Sequence, residues 1–170
     1  AIRGPVTVIA NKHRRITFVE CPNDIFSMID IVKCADLVLL MIDASFGFQM
    51  EIFEFLAICQ AHGFPRVMAV LNHLDSFKSV EKRRRARKQL KQRFWSEVFK
   101  GSKMFYLTRL LDDGMYVKHE IHNLCRFISV MKFNREPSAW RSNHPYLLAD
   151  RVERADRSDE DGLVNVHVYG

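Results

Sequence analysis

Residues 66–75 run Arg66-Val67-Met68-Ala69-Val70-Leu71-Asn72-His73-Leu74-Asp75. Arg66–Leu71 carries no polar alternation after its first residue, so it is a strand buried on both faces, as in a parallel sheet covered by helices. The polar group Asn72-His73-Leu74-Asp75 then falls where that strand ends. A second apolar run, Leu37–Ile42, stops at Asp43 in the same way. Between the two runs, Met50–His62 has helical spacing (Phe53, Leu56, Ala57, Cys59), and Gly63 stops it. Val80–Lys100 is a long helix with Ala86, Leu90, Phe94 and Val98 recurring every four residues. Lys103–Leu107 is a short strand, and His119–Met131 is a last helix with Ile121, Leu124, Cys125 and Ile128 on one stripe. Upstream, Val6–Ala10 and Arg15–Glu20 alternate on either side of Asn11-Lys12-His13-Arg14, which predicts a hairpin. Asp24–Cys34 is helical through Ile25, Met28, Ile29 and Val32, with Asp24 as its N-cap. Strands therefore alternate with helices after the hairpin. The fold class is α/β, a mostly parallel sheet with one antiparallel edge strand from the hairpin.

The 170 residues suffice for one domain with a real core, and 48% apolar with 27% charged residues is a globular composition. No apolar run approaches the roughly 20 residues of a membrane span, so no membrane association is expected. The N-terminal Ala1-Ile2-Arg3-Gly4-Pro5 lacks a signal pattern, and an intracellular protein is expected. Cys21, Cys34, Cys59 and Cys125 form no C-x-x-C pair, which removes zinc-ribbon and redox spacings. The last three lie in apolar periodic segments and are expected to be buried free thiols. The net charge of +6 is uneven: twelve of the 26 Lys and Arg lie from Lys78 to Arg109, against only Glu81 and Glu97. Such a face attracts phosphate backbones, unless it is simply solvated. Its densest part holds Lys82, Arg83, Arg84, Arg85, Arg87, Lys88, Lys91 and Arg93, candidates for contact with RNA phosphates. From about Glu153 the chain turns charged, and a linker is expected over 150–162 before an alternating strand at 163–170.

In parallel sheets, ligands bind at the carboxyl ends of the strands. Three strand ends carry polar residues in a fixed order: Glu20-Cys21-Pro22-Asn23-Asp24, then Asn72-His73-Leu74-Asp75, then Thr108-Arg109. Arg3-Gly4-Pro5-Val6-Thr7 lies ahead of them. This order resembles the motif series of translational GTPases. More narrowly, the chain resembles the Bms-type nucleolar GTPases of small-ribosomal-subunit biogenesis, with the Tsr-type relatives next. The resemblance runs through RGPVTV (3–8), ECPNDI.SMID (20–30), ADLVLLMIDASFGFQME.FEFL (35–56), HGFPRVMAVLNHLDSFK (62–78), RFWSEVF.G.K.FYL (93–107) and HPYLLADRVE (144–153).

The resemblance implies a P-loop-NTPase-like G domain over 1–149, from the switch I region onward, with 163–170 opening a following β-barrel domain. It implies GTP or GDP with Mg2+ as cofactor. Asp75 would accept two hydrogen bonds from the guanine edge, at about 1–3 kcal/mol each. Asn72 would brace the loop, and His73 stands where the family has a base-covering Lys. Thr108 would belong to the base loop as well. Read locally, Asn72 and Asp75 could instead cap a turn. Thr7 is the candidate for the magnesium-binding hydroxyl, and Glu20 replaces the Asp that holds magnesium through water. Asn23 replaces the Gly that meets the γ-phosphate. Asp24 replaces the His that orients the attacking water, a role its charge suits poorly, while a helix cap suits it well. The loop Gly-x-x-x-x-Gly-Lys-Ser/Thr does not occur within these residues.

The function implied is a GTP-binding factor of pre-40S rRNA processing within the small-subunit processome, located in the nucleolus. Its implied partners are pre-rRNA, snoRNP and assembly factors including a cyclase-like protein. The alternative is a degenerate G domain serving as a non-catalytic rRNA scaffold. A translation elongation or initiation factor fits the fold but not Glu20-Cys21-Pro22-Asn23-Asp24.

Overall fold

The computed structural model describes residues 4–12, 14–133, 139–149, 151–154 and 166–169. Strands β3 (Leu37–Asp43), β4 (Arg66–Asn72) and β5 (Met104–Tyr106) form a parallel sheet in that order. β3 and β4 pair without slippage, Leu37 opposite Arg66 at one end and Asp43 opposite Asn72 at the other. Both strands are apolar on both faces because both faces are covered. Val38, Leu40, Ile42, Val67, Ala69 and Leu71 meet α1 (Ile25–Cys34), α2 (Met50–His62) and α3 (Val80–Glu97). Met68 and Val70 point the other way, against Leu124 and Ile128 of α4 (Lys118–Val130). Met41 is the exception. It is 51% exposed, so the carboxyl half of β3 is uncovered on the α4 side among the described residues.

The hairpin β1 (Val6–Asn11) and β2 (Arg14–Phe18) is antiparallel, with Thr7 opposite Thr17. The expected antiparallel strands are present, but they pair with each other as a separate two-stranded sheet instead of extending the parallel one. Their anchor is α4. Arg14 donates to the carbonyls of Ser129 and Met131, at 2.8 and 2.6 Å, satisfying acceptors that a helix C-terminus leaves open. Ile16 joins the apolar cluster under α4.

Downstream, α5 (Ala139–Asn143) is fastened to the end of α1. Arg141 donates to the Lys33 carbonyl and to Asp36, both at 2.7 Å, and the Lys33 ammonium lies 5.3 Å from the Trp140 ring centre. β6 (Arg151–Arg154) pairs antiparallel with β7 (Val166–Tyr169). The head of the stretch expected as a linker is therefore a strand, because Val166–Tyr169 supplies its partner. Residues 155–165 lie outside the described residues. Cys59 is fully buried, and burial pushes its thiol up to about 12. Cys34 is half-buried, whereas Cys125 is exposed, since it sits beside the packed stripe of α4 rather than in it.

Among the described residues Phe94 is the largest side chain with no exposure, and it packs α3 into the core cluster of the sheet. Phe94→Ala is expected to lower stability by about 3–5 kcal/mol, read as a shift of the urea midpoint with an unchanged slope.

Candidate functional site

At the end of β4 the chain reverses in one residue. His73 adopts a left-handed conformation, φ 55° and ψ 38°, tolerated by His more than by branched residues. A short 3-10 turn, Leu74–Ser76, follows, and Leu74 is fully buried beneath it. Asn72 is 8% exposed and engaged at both ends of its amide. Its Oδ1 accepts from the His73 N–H at 2.8 Å, and its Nδ2 donates to the Tyr116 hydroxyl at 2.8 Å. Asn72 therefore braces the loop.

Asp75 donates its backbone N–H to the Thr108 carbonyl at 3.0 Å, which joins the β4 and β5 loops. Its carboxylate is exposed, with no hydrogen bond or ion pair among the described residues. Thr108 is saturated: its N–H and its hydroxyl both donate to the Glu120 carboxylate, each at 2.8 Å. Thr108 is thus a tie between α4 and the loop, and its own side chain offers no spare donor.

Asp43 completes this edge. Parallel register sets it beside Asn72, and the Ala44 N–H donates to the Asn72 carbonyl at 2.9 Å. Its Oδ1 accepts from the N–H and hydroxyl of Ser45, and its Oδ2 lies 4.0 Å from His73 Nε2. Burial raises its pKa, but the Ser45 hydrogen bonds and the His73 imidazole outweigh that and hold the carboxyl below its ordinary value. Asp43, Tyr116 and Glu120 are not among the site residues expected from sequence. Asp43 carried a signal, the end of a buried strand. Tyr116 and Glu120 carried none, since they reach their partners across 44 and 12 residues.

The residues expected on the phosphate side are not joined to this group by any hydrogen bond or ion pair among the described residues. Thr7 lies within β1, its hydroxyl 2.9 Å from that of Thr17. Glu20 and Asn23 are exposed in the segment after β2. Asp24 is a helix cap, with extended backbone and Oδ1 accepting from the Ser27 N–H at 2.9 Å. Ser27, through its hydroxyl first and then its N–H, lowers the Asp24 pKa against the small opposing effect of burial. Among the described residues, no three His, Cys, Asp or Glu converge as a metal site. Magnesium in such sites rests on one or two carboxylates together with substrate phosphates, and the hydroxyl of Thr7 is already engaged.

The basic run on α3 divides. Arg83, Arg87, Lys91 and Arg93 make contacts within the domain, whereas the exposed Lys82, Arg84, Arg85 and Lys88 make no hydrogen bond, ion pair or ring contact among the described residues. His119 and His122 are both exposed. Phe55 is buried, whereas Phe46, in the turn after β3, is 73% exposed.

Two outcomes are expected here. The stability advantage of the natural chain over Asp24→Asn, present at neutral pH, is lost as pH falls below 3.8 through the lowered folded-state value. Thermal midpoints across an acid series measure it. Tyr116→Phe removes the 2.8 Å acceptor of Asn72 Nδ2 and leaves it the His73 ring nitrogen at 3.3 Å, and should destabilise by about 0.5–1.5 kcal/mol, read by chemical denaturation.

The family described as the Tsr1, G-like domain matches residues 4–126, and the AARP2CN (NUC121) domain matches residues 134–170. The ribosome biogenesis protein bms1 of Schizosaccharomyces pombe is 61% identical over 152 residues, covering 89% of this chain and 13% of that protein. The human BMS1 homolog is 59% identical, covering 89% and 12%. The pre-rRNA-processing protein TSR1 homolog of Xenopus laevis is 27% identical over 165 residues, covering 96% and 19%. The chain thus spans about an eighth of the length of the first two relatives. Translation elongation factor SelB of Methanococcus maripaludis, in complex with a GTP analogue, superposes with a TM-score of 0.61 at 17% identity, covering 97% of this chain and 35% of that one. Its apo form gives 0.54 at 21% identity, covering 71% and 26%. At such identities the likeness is one of fold.

Proposed function

Since the chain belongs to the Tsr1 G-like domain family, among the Bms-type ribosome-biogenesis GTPases, we propose that it is the base-recognition half of a guanine-nucleotide-binding domain in such a factor. The observation that carries this is Asp75: an exposed carboxylate without a hydrogen-bond or ion-pair partner among the described residues, on a loop tied to Thr108 and braced by Asn72 and Tyr116. Guanine offers N1–H and its amino group to such an acceptor, and adenine cannot offer that pair. The His73 imidazole, 4.0 Å from Asp43, would stack on the base in this reading.

GTP with Mg2+ is the ligand this reading implies. Magnesium would be held chiefly by nucleotide phosphates, with Glu20 acting through water and Asn23 near the γ-phosphate. Supplied by nucleotide and ion together, phosphate charge would give the domain its two states. The factor would act in pre-40S rRNA processing in the nucleolus, with pre-rRNA, snoRNP and a cyclase-like assembly factor as partners. The AARP2CN match supports β6–β7 as the opening of a following β-barrel domain.

A second reading, a scaffold without turnover, is favoured by Asp24. Its carboxylate is committed to capping α1 at the position where the family orients the attacking water.

Titration of the full-length protein with fluorescent GTP and ATP analogues tests the first reading. Guanine-selective binding, weakened roughly 100-fold by Asp75→Ala, is expected, since two charge-assisted hydrogen bonds are lost. Equal binding of both analogues, or none, would sink it in favour of the scaffold.

A further inference from the structure

The α3 helix carries eight basic residues from Lys82 to Arg93, and the fold assigns them to two rows. The inner row leans on the domain. Arg83 donates to the Phe77 carbonyl at 3.3 Å. The Arg87 guanidinium lies 3.9 Å from the Tyr106 ring centre, Lys91 4.7 Å from Trp95 and Arg93 5.4 Å from Phe53. Arg93 also pairs with Glu97 at 2.9 Å. These stems cover apolar surface while their charges rest over rings, so they serve cohesion.

The outer row is Lys82, Arg84, Arg85 and Lys88. All four are exposed, and none makes a hydrogen bond, ion pair or ring contact among the described residues. At about 1.5 Å rise per residue, they span about 9 Å of helix axis, and Arg84 and Lys88 stand one turn apart. Glu81, Gln89, Gln92 and Ser96 are exposed beside them, and exposed apolar surface next to the row is confined to Val80 at the start of the helix, one turn before Arg84 and 74% exposed.

We infer that this outer row is a docking stripe for the phosphate backbone of RNA. Protein partners generally meet at an apolar centre with a polar rim, and this stripe has no apolar centre. A phosphate backbone requires only cations and neutral hydrogen-bonding groups, and the stripe supplies Lys and Arg with Gln between them. Glu81 at the helix start marks its boundary. The choice of RNA over DNA rests on the ribosome-biogenesis reading, whereas the phosphate chemistry does not. Recognition here is by charge and spacing, so the stripe positions RNA without reading bases.

The test is the salt dependence of binding to a fluorescent double-stranded RNA, measured by anisotropy between about 50 and 200 mM salt. The full chain is compared with an outer variant (Lys82→Gln, Arg84→Gln, Arg85→Gln, Lys88→Gln) and an inner variant (Arg87→Met, Lys91→Met). Each phosphate contact contributes about 0.7–0.9 to the slope of log affinity against log salt. The outer variant should therefore lose about 3 from the slope while melting at the same temperature. The inner variant should keep the slope and melt lower. An unchanged slope in the outer variant, or equal losses in both variants, overturns the inference. So does tighter, equally outer-row-dependent binding to an acidic peptide, which would make the stripe a protein contact. The guanine-nucleotide titration is read separately, so failure here leaves that reading intact.

Discussion

The in-register pairing of β3 with β4 is the constraint on which the rest of the molecule depends. Parallel strands cannot slip by one residue without turning every side chain to the other face. Here both faces are packed, so a slip would carry Ile42 and Leu71 away from the three-helix side and disrupt two apolar clusters at once. The register that satisfies the core also brings Asp43 level with Asn72. Polar residues 29 positions apart in sequence become neighbours at the carboxyl edge as a consequence of apolar packing.

From that edge a polar network spreads outward. Asn72 is held by its own loop and by Tyr116, Thr108 by Glu120, and Asp75 by its backbone to Thr108. The buried members satisfy one another, as groups removed from water must. Among the described residues the Asp75 carboxylate at the rim remains unengaged, in contrast with the saturated braces behind it. Asp24 and Thr7 show the opposite arrangement, since local hydrogen bonds already occupy them.

Arginine performs much of the long-range fastening. Arg14 closes the end of α4 over the hairpin, Arg141 closes the end of α1 over α5, and Arg87 lies on Tyr106. In each case a planar cation meets acceptors or a ring that a helix end or sheet edge left open. A basic composition is therefore partly structural, and formal net charge overstates what is available to a partner.

The periodicity of the chain determined most of the fold. Unbroken apolar runs at Leu37–Ile42 and Arg66–Leu71, four-residue spacing in α3 and Gly63 after α2 are local features, and local features are legible in one dimension. The same logic made Asp24 visible as a cap and placed Asp75 just past the end of a buried strand. The sequence alone could not divide the α3 cations into two rows, because that depends on Tyr106, Trp95 and Phe53 arriving from other elements. Nor could it reveal Tyr116 and Glu120 as braces, the exposure of Cys125 where burial was expected, or the detachment of the hairpin from the parallel sheet. Each of these is settled by which surfaces meet, and contacts between residues far apart in sequence exist only once the core has packed.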